Sequence, residues 1–340
     1  YYSQIYMQWK AKKIKSKTTP SRKETNGTKV IRAFPPADLA KESEIDATGN
    51  LLLSDKTLIV LSYDSKVAGY DVSDPKSPSK RWTIKPEDNN YIVTARLYKQ
   101  VLYLITRTNI QINHPCPLKP VSLDDNPVEI KCADIYHPTI NVPVDSTFTV
   151  LALNPSSGRV ENKISFVGSS NGSIVYMSEN ALYVTYSYDG DFTKFFSNFL
   201  TEKGKDIIPD WVHQKIQKLT EYDLSKTAKL TELQFILETY YNSLSNDERL
   251  KMENEITNRM QDFQKAHQRD LEKTGIVKIA LAKLEVAAVG DAPGRPLNQF
   301  SLDEYQNYLR IATTIGQSGF GMFWSAGESA NDVYILDQDL

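Results

Sequence analysis

Cys116 and Cys132 are the only cysteines in the 340 residues, and a histidine stands near each, His114 two positions before the first and His137 five after the second. Thiolates and imidazoles are the usual ligands of tetrahedral zinc, but ligand pairs generally sit about two to four residues apart and the second pair here is wider. The competing chemistry is oxidation. An even pair of cysteines in a surface protein reads as a disulfide, and closing a loop of this length would contribute roughly 3 kcal/mol on the chain-entropy account. The loop it would close is Pro-rich and has no core of its own. Cys116 and Cys132 are therefore read as a disulfide, with His114, Cys116, Cys132 and His137 as the alternative metal-ligand set and free thiols as a third state. Apart from that metal ion, no cofactor is implied.

The remaining chemistry is sparse. His267 falls in the apolar stripe of a helix, where a packed, hydrogen-bonded role is expected, and His213 falls on a helix surface. "GQSGF" (316–320) and "GESAN" (327–331) begin like a nucleophile elbow, but both lack its final glycine and its strand-to-helix setting. No phosphate-binding loop, dinucleotide fingerprint, CxxC or HExxH occurs. Asp189 and Asp191 in "YDGDF" could touch calcium, but the other oxygen ligands of a loop site are missing and a turn is expected. The candidate catalytic set is empty.

Composition narrows the classes further. Lys and Arg number 40 against 42 Asp and Glu, a net charge of -2, which argues against a dedicated nucleic-acid binder. A 40% hydrophobic content suffices for a real core. No run reaches the roughly 18 apolar residues of a membrane helix, since "IVKIALAKLEVAAVG" is broken by Lys278 and Lys283. The first residue is not Met, and "YYSQIY" reads as a strand, so the sequence is expected to begin inside a longer polypeptide, with a signal segment or anchor outside it left open. "KAKKIKSK" (Lys10 to Lys17) reads as a solvated loop, with anionic wall polymer or lipid headgroups as the functional alternative. Sequons at Asn26 and Asn171 fall in expected turns.

The elements that must position these residues repeat. Residues 50–85 read as four short strands, "LLLS", "KTLIVLSY", "KVAGYDV" and "KRWTIK", punctuated by Asp55, Asp64 and "SDPKSP". The layout recurs from "YIVTARLYKQVLYLITR", from "SIVYMSENALYVTYSY" and from "LNQFSLDEYQNYLRIATTIG". Units of about 40 residues, each a four-stranded antiparallel sheet, define an all-β fold of the β-propeller type. The blades are expected at 1–48, 49–86, 91–167, 171–290 and 297–340, a partial ring. The first blade, from "YYSQIYMQW", "TKVIRAF" and "AKESEID", would lack its first strand and the last its fourth.

Two insertions leave between second and third strands, and so from one rim. The first, 108–145, is Pro-rich and reads as irregular. The second, 191–273, is helical: Ser245 and Glu248 form a capping box, and Ile256, Met260, Phe263, His267 and Leu271 then share one face. Pro209 opens an earlier helix, "PDWVHQKIQKL", and "LTELQFILETYYNSL" is another.

"RPLNQFSLDEYQNYLRIATTIG", "NDVYILDQDL", "KTGIVKIAL" and "CADIYHPTINVPVDSTFTVLALNPSSGRVENKISFVGSS" resemble a family of secreted bacterial and archaeal proteins with a β-propeller domain distantly similar to WD-repeat propellers. The resemblance runs from about residue 30 onward. It implies the fold and an extracellular or cell-surface location, and it carries over no catalytic residue.

The expected function is a non-catalytic surface scaffold that contacts a cell-envelope protein or polymer through the helical insertion and the loop around Cys116 and Cys132. Two alternatives stand beside it: an enzyme with its site in the central funnel, and a metal protein built on the Cys/His insertion. The expected inner strands, "LLLS", "IVTARL", "SIVYMS" and "LNQFSL", carry mostly apolar and hydroxyl residues, and Arg96 is the charge that would matter there. Propellers host all three classes, so fold alone cannot choose.

Overall fold

The computed structural model describes residues 27–33, 39–137, 144–316 and 329–340. The strand expected at "YYSQIYMQW", the basic stretch Lys10 to Lys17, Asn26 and most of the two serine loops near the end lie outside the described residues.

Among the described residues five sheets follow one another in sequence order. The first pairs β1 (Thr28–Arg32) with β2 (Ala40–Ile45), and the second is a meander of β3 (Gly49–Ser54), β4 (Thr57–Ser62), β5 (Val67–Asp71) and β6 (Ser79–Pro86). β7 (Asn90–Tyr98) and β8 (Val101–Asn109) open the third sheet. The chain then leaves through β9 (Val121–Leu123), β10 (Asn126–Pro127) and β11 (Ile135–Tyr136), and β12 (Ser146–Leu153) and β13 (Val160–Gly168) complete the sheet. The fourth sheet starts with β14 (Ile174–Met177) and β15 (Ala181–Asp189). Four helices intervene, α1 (Phe192–Glu202), α2 (Asp210–Glu221), α3 (Lys226–Asn242) and α4 (Asn246–Leu271), before β16 (Glu272–Ala280) and β17 (Glu285–Pro293). β18 (Leu302–Tyr305), β19 (Tyr308–Ile315) and β20 (Ala330–Leu336) form the fifth.

The strands form where the apolar period is two, and the hairpins close where the backbone can turn left-handed. Lys99 and Gln100 have φ 46° and 62°, and Gln306 and Asn307 have 50° and 66°. Two consecutive positive φ values make the two-residue turn whose twist matches the flanking strands. In β12 both faces are buried, because the sheet is sandwiched: Leu151 and Leu153 pack with Ile59, Val67 and Ile84 of the second sheet, and Phe148 and Val150 pack with Leu182 and Val184 of the fourth. Tyr183 and Ile276 of the fourth sheet pack in turn on Leu309 and Ile311 of the fifth. The second to fifth sheets therefore stack face to face in chain order, each fully buried aliphatic contributing about 1.5–3 kcal/mol. The helices have a separate core built on Phe199, Val212, Ile216, Leu233 and Phe263.

Two expectations are corrected. The Pro-rich insertion is not simply irregular: β9 pairs antiparallel with β6 at the edge of the preceding sheet, and β11 pairs parallel with β13. Open edges of two neighbouring sheets supply hydrogen-bond partners that no local pattern announces. "LNQFSL" is not strand throughout, since Gln299–Ser301 is a 3₁₀ turn and β18 starts at Leu302. The Asn298 side chain accepts from Phe300 N at 2.9 Å and the Ser301 hydroxyl accepts from Asn298 N at 3.4 Å, and this reciprocal cap competes with strand pairing.

A polar clasp joins the fourth and fifth sheets. The Glu304 carboxylate accepts from Ser178 Oγ at 2.5 Å, Asn180 Nδ2 at 2.9 Å and Tyr183 OH at 2.9 Å, while Glu304 N donates to Tyr176 OH at 3.0 Å. Burial alone would raise the Glu304 carboxyl, but these three donors and the Lys278 charge hold it below the usual glutamate range. A lowered folded value means that the stabilisation is complete above the unfolded value of about 4.3 and is lost as pH falls through the folded value. Glu304→Gln is thus expected to flatten the acid limb of stability below about pH 4.3 and to leave the neutral-to-basic limb parallel. Urea midpoints across that range check this, and an unchanged acid limb would assign the pH dependence elsewhere.

Candidate functional site

Both insertions leave their sheets after the second strand, beside the linker to the next sheet. At the first exit Asp145 accepts from Ser170 N and Ser170 Oγ, both at 2.7 Å, and burial of its carboxyl is outweighed by these bonds, which hold it below the usual range. At the second exit Arg295 Nη2 donates to Asp189 Oδ1 at 2.9 Å, and Lys226 Nζ donates to the Asp189 carbonyl at 3.0 Å. The repeated design puts the Pro-rich loop, the helices and the linkers at one end of the strands. This rim is the candidate site.

The helical insertion is fastened at its roots. Gly190 N donates to Leu271 O at 2.7 Å, which brings the two ends of the insertion together. A Cβ on Gly190 would stand 2.1 Å from the Asp270 carbonyl oxygen, so the close crossing needs glycine. Arg269 clamps Asp332 at the start of β20 through two bonds of 2.9 Å, joining α4 to the fifth sheet. Such a bidentate pair fixes orientation more than it adds stability, because both partners reach solvent.

Within the insertion the sequence pattern holds closely. The Ser245 amide donates to the Glu248 carboxylate at 2.8 Å and Glu248 N returns to Ser245 Oγ at 3.4 Å, completing the capping box. Ile256, Met260, Phe263 and Leu271 are buried along α4. His267 is packed and hydrogen-bonded as its place in the stripe predicts, though at the margin of the core: it stacks on Phe263 at 4.1 Å between ring centroids, its Nδ1 lies 3.3 Å from Asp270, and its side chain is 32% exposed. His213 on α2 contacts Thr201 Oγ1 at 3.1 Å. That hydroxyl donates to the Ser197 carbonyl at 2.9 Å, so it meets the imidazole as an acceptor and is not activated as a nucleophile. Most of what the insertion presents outward is charged or polar, and among these residues Trp211, Phe235 and Leu250 are 45%, 64% and 59% exposed. Two aromatic rings and one aliphatic side chain held on helices suit a contact surface.

The Pro-rich loop is stapled. Cys116 and Cys132 are joined, with their Cα atoms 5.5 Å apart, which spends both sulfurs in one bond. Leu118 and Ile130 bridge just inside the staple and are buried. His114 is exposed, and His137 lines a groove of 510 Å³ together with Tyr136, Lys163 and Leu284. Among the described residues no three His, Cys, Asp or Glu side chains come together as a metal site. Asp191 of the calcium candidate caps α1 by accepting from Lys194 N at 3.0 Å, and its neighbour Asp189 holds Arg295. Asn171 lies exposed in the linker between the third and fourth sheets.

Arg96, the expected funnel charge, lies on β7 and donates to Thr94 Oγ1, the Ala95 carbonyl and Gln299 Oε1. Its last bond crosses from the third sheet to the turn before β18 of the fifth. Burial lowers the guanidinium, which none of these neutral acceptors compensates. Sequence reading placed Arg96 inward but missed Gln299, and it missed the Glu304 clasp, because both need a partner more than a hundred residues away. The signal available was the charge that two of the first strands carry, Arg96 on β7 and Glu304 on β18.

A family model described as β-propeller domain matches residues 7–340. A protein of Archaeoglobus fulgidus is 45% identical over 321 residues, covering 94% of this chain and 49% of its own length. A second, from Methanocaldococcus jannaschii, is 34% identical over 316 residues, covering 92% of this chain and 48% of its own length. Both carry the description "uncharacterized protein". The chain thus spans about half the length of these curated relatives. No solved structure matches it. No helix among the described residues is long and apolar enough to cross a membrane. Its stacked, mainly antiparallel sheets and a family match over residues 7–340 agree, and this protein belongs to the β-propeller domain family.

Proposed function

We propose that the chain is a non-catalytic, extracytoplasmic scaffold that binds a cell-envelope protein through the rim carrying its two insertions. The observation that carries this reading is the helical insertion itself, anchored to the fourth and fifth sheets by Gly190, Lys226 and Arg269 while Trp211, Phe235 and Leu250 stay exposed. Rigid anchorage with apolar exposure lowers the ordering cost of binding, which favours a protein contact over a solvated appendage. The Cys116–Cys132 bond supports the location, because such bonds persist in oxidising compartments. The catalytic reading has less behind it: the one His–hydroxyl contact described above points the wrong way for nucleophilic activation.

Because the insertion's two ends meet at Gly190 and Leu271, excising 191–271 leaves β15 and β16 joinable by a short turn. The excised protein is expected to keep its sheet spectrum and a cooperative melt, and to lose binding to the solubilised envelope fraction. Retained binding by a folded, excised protein would refute the role given to the helices.

A further inference from the structure

Asn171 stands in a turn that uses neither property for which turns select asparagine. Such a residue either folds its side chain back onto the local backbone or takes the left-handed conformation itself. Asn154 does the first, its Oδ1 accepting from Ser156 N at 3.0 Å, and Asn307 does the second, with φ 66°. In the linker between the third and fourth sheets the turn closes without the Asn171 side chain. Asn171 N donates to Ser169 Oγ at 3.2 Å, the Asn171 carbonyl accepts from Ser187 N at 2.8 Å, and the left-handed residue is Gly172 at φ 60°. A Cβ on Gly172 would stand 2.4 Å from Ser187 Oγ, so conformation and packing both keep that position glycine.

The fold therefore leaves the Asn171 side chain unused. It is exposed, and among the described residues neither its amide nor the Ser173 hydroxyl makes a hydrogen bond. Asn171-Gly172-Ser173 is also an acceptor sequence for N-linked sugar, which needs an asparagine, a hydroxyl two positions on and any residue but proline between them. Asn154-Pro155-Ser156 shows the contrast. It has the same spacing with proline at its centre, and its side chain is spent on Glu161 and on Ser156.

We propose that Asn171 is an N-glycosylation site, a reading that rests on the extracytoplasmic location proposed above. The donor is an oligosaccharide carried on a lipid phosphate. The Asn171 Nδ2 bonds to its anomeric carbon, the anomeric carbon–oxygen bond breaks, the lipid phosphate leaves with the electron pair, and the amide gives up one proton. The sugar's place follows from its neighbours. Ser170 is bound by Asp145 where the first insertion returns, and Ser187, which holds the Asn171 carbonyl, lies two residues before Asp189 at the root of the second. The sugar thus rises from the rim between the two insertions, and a partner docking on the helices meets a bulky, hydrated neighbour there.

The test is mass spectrometry of the polypeptide isolated from the envelope and cytoplasmic fractions of its source cells and digested with trypsin. Peptide 164–194, which holds Asn171 and no other sequon, is expected to gain the mass of at least one sugar residue, placed on Asn171 by fragmentation. The gain should be lost in Ser173→Ala, which keeps the acceptor amide, and kept in Ser173→Thr. Unmodified Asn171 in the envelope fraction would overturn the site and leave the location standing. Unmodified Asn171 in a polypeptide confined to the cytoplasm would overturn both. A gain that survives Ser173→Ala would also overturn the site, because the sugar would then not follow the acceptor sequence.

Discussion

Replacing Trp82 by alanine is expected to destabilise the protein by about 3–5 kcal/mol, the largest single-residue effect proposed for the sheets. Trp82 lies on β6, is 2% exposed and donates its indole N–H to the Pro155 carbonyl at 2.9 Å. It is therefore a rivet between the second sheet and the β12–β13 turn of the third. Two glycines make the slot: a Cβ on Gly69 would stand 2.2 Å from the ring, and one on Gly158 would stand 2.7 Å from it. Gly158 has the further requirement of φ 68°, where a side chain is strained. Truncation leaves a cavity between two stacked sheets and strips the Pro155 carbonyl of its donor. Trp82→Phe removes the donor but keeps a smaller ring in the slot, and is expected to cost only part of the total, with about 1 kcal/mol from the lost hydrogen bond and the rest from the smaller residual cavity. Gly69→Ala should destabilise by about 1–3 kcal/mol through overpacking, and in the Trp82→Ala background that cost should vanish. Denaturant midpoints of the four proteins in this cycle check the claim, and strict additivity would show that ring and glycine do not share a site.

Removing the staple by Cys116→Ala with Cys132→Ala is expected to lower the opening free energy of the Pro-rich insertion by about 3 kcal/mol, from the entropy of the freed loop. The effect should be local. β9 is held at the edge of the second sheet, with Asp124 N donating to Thr83 O at 2.9 Å, and β11 is held on β13 by a two-residue pairing. The loop adds few buried aliphatic side chains to these short edge pairings, namely Leu118, Val121 and Ile130, so they should loosen once the loop is free. Hydrogen exchange at residues 118–136 should accelerate by about two powers of ten while the amides of β12 keep their protection. Unchanged exchange in the loop would show that edge pairing alone holds it. Adding a chelator to the unmodified protein is expected to change nothing, since both sulfurs are in the bond.

How much of this was legible in the sequence depended on the distance between partners. The hairpins were legible because Tyr98-Lys99-Gln100-Val101 and Tyr305-Gln306-Asn307-Tyr308 carry their turn and their flanking period in a few residues. The α4 helix was legible for the same reason, with Ser245 and Glu248 three residues apart and the stripe to Leu271 repeating on one face. Strands β9 and β11 were not, because a strand of two or three residues has no period and is specified by the open edge it finds. His267 was placed in the stripe correctly, yet its imidazole slides over Phe263 toward Asp270 at the margin of the helical core. The candidate site was half legible. The insertions, their shared rim and the cysteine pair could be read, whereas the anchors Asp189–Arg295 and Arg269–Asp332 join residues 106 and 63 positions apart and become visible only once the sheets are stacked.

The central claim, that the rim contacts an envelope protein, is tested most directly by cross-linking intact source cells and mapping the peptides without reduction. Cross-links from lysines of α2 to α4, such as Lys215 or Lys251, to one defined envelope protein, with Cys116 still joined to Cys132, are the predicted result. Cross-links confined to the chain itself, with no envelope protein attached at the helices, would contradict it.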